Sequence, residues 1–295
     1  MSSLRPFVRR HRFSTFVALT FVLTWVPWLT VAWMLRTGRP PVVTTLVLIG
    51  GFGPFFAAAL VAAAGGDLRS WLGHLVDVGA PLGVWAAAVL VPVALYVLAL
   101  GVFLLAGGGF DRASVLPAAA VPAVVFATFV RGGLEEPGWR GMALPVLQRS
   151  VGAFWASIVI GTIWALWHVP LFLMPGSSQA GTSFWLYAPV VVGISVIATW
   201  LYNAAGGRVL VPVVFHTLSN AVSVTTATGA VGDEVLSQTG ILVVVWVVVT
   251  VLVWRYGTER LASKPLPDGG LDFVTLENSK LSGTSRDDVL GDEQA

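Results

Sequence analysis

Leu134-Glu135-Glu136-Pro137-Gly138-Trp139-Arg140-Gly141 sets two adjacent carboxylates and an arginine between long apolar runs. Upstream, residues 116–130 are almost wholly Ala, Val, Pro and Phe; downstream, residues 154–173 are rich in Ile, Trp and Leu. Ionisable groups at membrane depth are costly, and where they occur they mark function by default. The rest of the chain fits that setting. Of its 295 residues 56% are hydrophobic and 11% charged, where a soluble domain carries about 25% charged residues. With a mean hydropathy of +0.82, the composition is that of a polytopic membrane protein.

Working outward from the acidic stretch, eight apolar segments are long enough to span, since a membrane helix needs about 20 apolar residues. They run from 13 to 35, 42 to 64, 82 to 106, 116 to 134, 151 to 173, 184 to 205, 209 to 228 and 236 to 254. The expected fold is therefore all-α: a transmembrane bundle of about eight helices, with its site in an intramembrane cavity. The first segment continues through Trp25, Trp28 and Trp33, beyond the 7–15 residues of a cleaved signal, so it reads as a retained helix. The second contains Gly50-Gly51 and Gly53-Pro54, a composition that membrane helices use for close packing or a kink.

Arginine placement sets the expected orientation. With the N-terminus in the cytoplasm, the inside segments hold Arg5, Arg9, Arg10, Arg12, Arg69, Arg131, Arg140, Arg149, Arg208, Arg255 and Arg260, against Arg36, Arg39 and Arg112 outside. Three regions follow: a basic cytoplasmic segment over 1–12, a transmembrane domain over 13–256, and a polar tail over 257–295. The tail, with its acidic end from Asp287-Asp288 to Glu293, is too polar to build a core and reads as disordered and cytoplasmic. The setting expected for such a chain is a bacterial plasma membrane. Cysteine is absent, which excludes disulfides and thiolate chemistry. No basic stripe or nucleic-acid motif is present, nor a phosphate loop, a dinucleotide fingerprint or a Gly-x-Ser-x-Gly elbow.

Two later segments each carry one histidine. His168 lies four residues after Trp164, and His216 four residues before Asn220, so each pair shares a helix face. Glu136 and Arg140 are also four apart, the spacing of a helix salt bridge. The bland readings are a structural ion pair, histidines bonding neighbouring helices and tryptophans that pack. Their coincidence in a chain this poor in charge favours a site. A carboxylate beside a histidine holds and deprotonates a water. A second histidine and an amide are suitable donors to an oxyanion, and an arginine fixes the acidic pair. The candidate catalytic set is Glu135, Glu136, Arg140, His168, His216 and Asn220, and the chemistry is hydrolysis of an amide or ester. Glu135, His168 and His216 would equally serve as three ligands to zinc; spacing alone does not separate the two.

At these residues the sequence resembles the CPBP intramembrane protease family, which contains CAAX prenyl endopeptidases and bacteriocin-processing or immunity-type proteins. The family pattern is Glu-Glu-x-x-x-Arg, then Phe-x-x-x-His, then His-x-x-x-Asn or Asp. Here it reads Glu135-Glu136-Pro-Gly-Trp-Arg140, Trp164-x-x-x-His168 and His216-x-x-x-Asn220, with tryptophan in place of phenylalanine. The similarity covers about residues 120–225, within a family-like core over about 116–228. It implies a membrane endopeptidase acting on membrane-anchored or prenylated peptides. Glu135 with His168 would activate water, His216 and Asn220 would stabilise the oxyanion, and Glu136 and Arg140 would support them. The implied mechanism is of the glutamate type, with zinc as its alternative. A non-catalytic regulator or immunity protein on the same fold is the competing expectation.

Overall fold

The computed structural model describes residues 4–39 and 43–263; the acidic end of the tail lies outside them. The chain is a helical bundle. In order it forms α1 (Leu4–Arg10), α2 (Arg12–Arg36), α3 (Val43–Gly51), α4 (Gly53–Gly65), α5 (Leu68–Leu75) and α6 (Leu82–Leu105). Then come α7 (Val121–Arg131), the short α8 (Glu136–Gly138), α9 (Leu144–Val151), α10 (Ala153–Trp167) and α11 (Val169–Phe172). Finally come α12 (Phe184–Ala204), α13 (Leu210–Gly229) and α14 (Glu234–Tyr256). Two-residue strands, β1 (Gly109–Phe110) and β2 (Ala230–Val231), pair antiparallel across one end. Among the described residues, seven helical segments are long and apolar enough to cross a membrane, and the bent α3–α4 pair makes an eighth.

That pair bends by 50° at Phe52. Pro54 sits in the first turn of α4, where its missing N–H costs no hydrogen bond. Side chains of α2 take up the carbonyls near the break: Thr24 Oγ1 donates to Gly50 O at 2.7 Å and Trp28 Nε1 to Val47 O at 2.9 Å. A side chain at Gly50 or Gly53 would overlap that indole or that hydroxyl. Away from water, such internal partners are what make a broken helix tolerable.

Contacts sort the connections into two ends. At one, Arg12 and Arg9 pair with Asp67, Arg208 pairs with Asp77, and Asn203 bonds Gln148 and the Arg260 carbonyl. At the other, Arg36 donates to Leu173 O at 3.0 Å, and β1 meets β2. Alternating crossings, with α3–α4 counted as one, produce this sorting.

Two expectations change. The segment expected as one helix over 116–134 is a span of mixed winding: 3-10 at Ala118–Ala120, α-helical from Val121 to Arg131, and 3-10 again at Gly133–Glu135. The stretch from 257, expected to lack structure, begins folded. Ala153 N and Phe154 N donate to Glu259 O at 2.7 Å and Thr258 O at 2.9 Å. Those carbonyls satisfy the otherwise orphaned donors at the start of α10, and Leu261 is fully buried behind them.

Candidate active site

The acidic stretch is not one regular helix. After the 3-10 turn, Glu136–Gly138 is α-helical and Trp139–Ala143 forms a π turn before α9. Single π turns insert a residue and re-aim side chains, and they concentrate at functional sites. The turn is wedged against the start of α4. A Cβ on Gly138 would collide with the backbone oxygen of Pro54, so only glycine allows that approach. On the other side α13 packs against Gly132 and Gly133.

Glu136 and Arg140 are wholly buried, at 0% exposure each, so their charges are balanced inside the protein. Arg140 Nη1 donates to Glu136 Oε1 at 3.0 Å, and its Nη2 donates to Ser195 O on α12 at 3.2 Å. The guanidinium also lies over the Trp164 ring, 5.2 Å from its centroid. His216 Nδ1, on α13, lies 2.9 Å from Glu136 Oε1. One carboxylate oxygen thus serves two elements, and it ties α13 and, through Arg140, α12 to the acidic stretch. An ionised carboxylate only accepts, so Nδ1 carries the proton and Nε2 is turned away from Glu136.

Glu135 is buried on the same turn. Its Oε2 accepts from Trp164 Nε1 at 2.7 Å and from Trp139 Nε1 at 3.3 Å. His168 is the residue between α10 and α11, and its Nδ1 lies 2.8 Å from the carbonyl of Trp164. A carbonyl only accepts, so Nδ1 is the donor and the Nε2 lone pair of the neutral ring is free. The ring is held edge-to-face by Trp167 at 4.6 Å and Tyr187 at 5.5 Å. Asn220 lies one turn beyond His216. A side chain built on Gly132 would meet both Asn220 Nδ2 and His216 Nε2. The two nitrogens therefore converge beside the turn that carries Glu135.

All six sequence-derived residues come together from three separate segments. Sequence reasoning missed the indole donors Trp139 and Trp164, which it took as packing, and the Ser195 carbonyl. The tryptophan at 164 was itself a signal: the family pattern has a ring without a donor there. Among the described residues no three His, Asp or Glu side chains form a group that would hold a metal ion. The proposed zinc set, Glu135, His168 and His216, does not fit as a ligand group.

Residues 117–222 match the family described as type II CAAX prenyl endopeptidase Rce1-like. A curated CAAX prenyl protease 2 from Methanococcus maripaludis is 32% identical over 106 residues, which are 33% of this chain and 38% of that protein. The chain thus spans well under half the length of that relative. The matched stretch contains every one of the six candidate residues. Over it, and by the motifs it carries, the chain is similar to the Rce1-like CAAX prenyl endopeptidases.

Proposed function

We propose that this protein is a CAAX-type intramembrane endopeptidase that cleaves peptide bonds of membrane-anchored or prenylated substrates with a water activated by Glu135 and His168. The observation that carries the reading is the division of the site into two faces. On one, Glu135 and His168 are both registered by Trp164, through its indole and its carbonyl. On the other, His216 Nε2 and Asn220 Nδ2 converge beside Gly132.

In this reading Glu135 Oε1 and the free Nε2 of His168 hold a water and take its proton as the oxygen attacks the scissile carbonyl. The carbonyl oxygen becomes an oxyanion facing Asn220 and His216. Asn220 Nδ2 donates to it, and the His216 ring, held through Nδ1 on the Glu136 carboxylate, turns Nε2 toward it. The proton held by the Glu135–His168 pair then passes to the departing amine. Arg140 holds Glu136 in place and touches no substrate. Lipid surrounds the bundle, and the arginine distribution supports both termini on the cytoplasmic side of a bacterial plasma membrane.

The test uses the full chain in lipid nanodiscs with a farnesylated fluorogenic CAAX peptide and its unprenylated twin. The expected result is faster cleavage of the prenylated peptide, at a rate unchanged by zinc chelators. Loss of cleavage on chelation, restored by zinc, would overturn the glutamate-type mechanism. Equal inertness of both peptides beside cleavage of a non-CAAX anchored peptide would overturn the substrate class.

A further inference from the structure

Resting on the hydrolase reading, we infer that Trp139 and Trp164 are positioning residues for Glu135, and that Trp164 sets the register of the Glu135–His168 pair. Both indoles point their N–H at one oxygen of one buried carboxylate, at 2.7 Å and 3.3 Å. They arrive from different elements, the π turn and α10, so the carboxylate is held from two directions. An indole nitrogen donates and never accepts. Neither tryptophan therefore competes for the proton of the attacking water; each fixes Oε2 and leaves Oε1 to act.

Trp164 does more than hold Glu135. Its main-chain carbonyl accepts from His168 Nδ1 at 2.8 Å, which fixes the tautomer and the aim of that ring. One residue thus places both partners of the water-activating pair, the side chain serving one and the backbone the other. The rest of the Trp164 ring packs edge-on to His216 at 5.0 Å and beneath Arg140. A phenylalanine retains most of that packing and still provides the carbonyl, so exchange to Phe isolates the indole donor. Trp139 is fully buried between Phe16 and Trp167, which makes its donor geometry a fixed feature of the core.

Trp164→Phe is expected to lower kcat about tenfold with KM unchanged, because the base is no longer held in register with the water whose proton it takes. Trp139→Phe, which removes the longer bond, lowers it less. A second readout needs no turnover. In protein carrying 15N-labelled tryptophan, the Nε1–H resonances of Trp139 and Trp164 shift in Glu135→Gln, and those of Trp25 and Trp246, bonded elsewhere, stay in place. Wild-type kcat in Trp164→Phe would overturn the inference, as would unmoved resonances of Trp139 and Trp164 in Glu135→Gln. The hydrolase reading fails on a different result, full turnover by Glu135→Gln itself.

Discussion

His216 Nδ1 lies 2.9 Å from Glu136 Oε1, the same oxygen that accepts from Arg140 Nη1 at 3.0 Å. A single buried atom therefore joins the acidic stretch to α13 directly and, through Arg140 and the Ser195 carbonyl, to α12. These are the elements that must hold their relative position for two faces of a site to oppose each other.

Glu136→Gln removes the charge that compensates Arg140 in a region without exposure. Breaking a buried pair by neutralising one partner leaves the other charge unpaid for, a cost of about 3 kcal/mol. The variant should melt well below wild type in detergent and lose turnover with it. A melting point equal to that of wild type would contradict the role assigned to this oxygen.

Gly138→Ala tests the wedge between the acidic stretch and α4. The added methyl meets the Pro54 backbone, which has no rotamer to escape into. Overpacking of this kind costs about 1–3 kcal/mol. Gly51→Ala is the control, since a side chain there meets nothing. Thermal unfolding of the two should separate them clearly.

Asp77 lies in the loop before α6, outside the spans. The Gly79 N–H at 2.8 Å, foremost, and the Arg208 guanidinium at 3.1 Å hold its carboxyl below the ordinary 3.8. A depressed carboxylate contributes stability that is complete above its unfolded value and is lost as pH falls through the folded one. Asp77→Asn should therefore cost under about 1 kcal/mol at neutral pH, the group being half exposed and screened. The gap between variant and wild type should close below about pH 4. Paired melting curves at pH 7 and below pH 4 measure it.

Hydropathy alone located the spans, because a chain that must satisfy its backbone inside lipid has few alternatives to helices of fixed length. Gly50-Gly51 and Gly53-Pro54 announced the break at Phe52, but not its 50° angle, which depends on Thr24 and Trp28 arriving from α2. The pairing of Glu136 with Arg140 was legible from its spacing. The third member, His216, was not assigned to Glu136, because a contact across 80 positions leaves no periodic trace. Indole donors stayed hidden for another reason: tryptophan is common in apolar helices, and its single polar atom matters only once its partner is known. The folded start of the tail escaped detection because it depends on backbone carbonyls, which every residue has.

The central claim is that Glu135 activates the water. Its most direct measurement is single-turnover cleavage of a farnesylated peptide by wild type and by Glu135→Gln, reconstituted side by side in proteoliposomes with their melting points checked. Gln keeps the shape and the acceptor for both indoles but cannot take a proton. A loss of at least about a hundredfold in a variant that melts like wild type is the predicted result. Cleavage by Glu135→Gln at the wild-type rate would contradict the account.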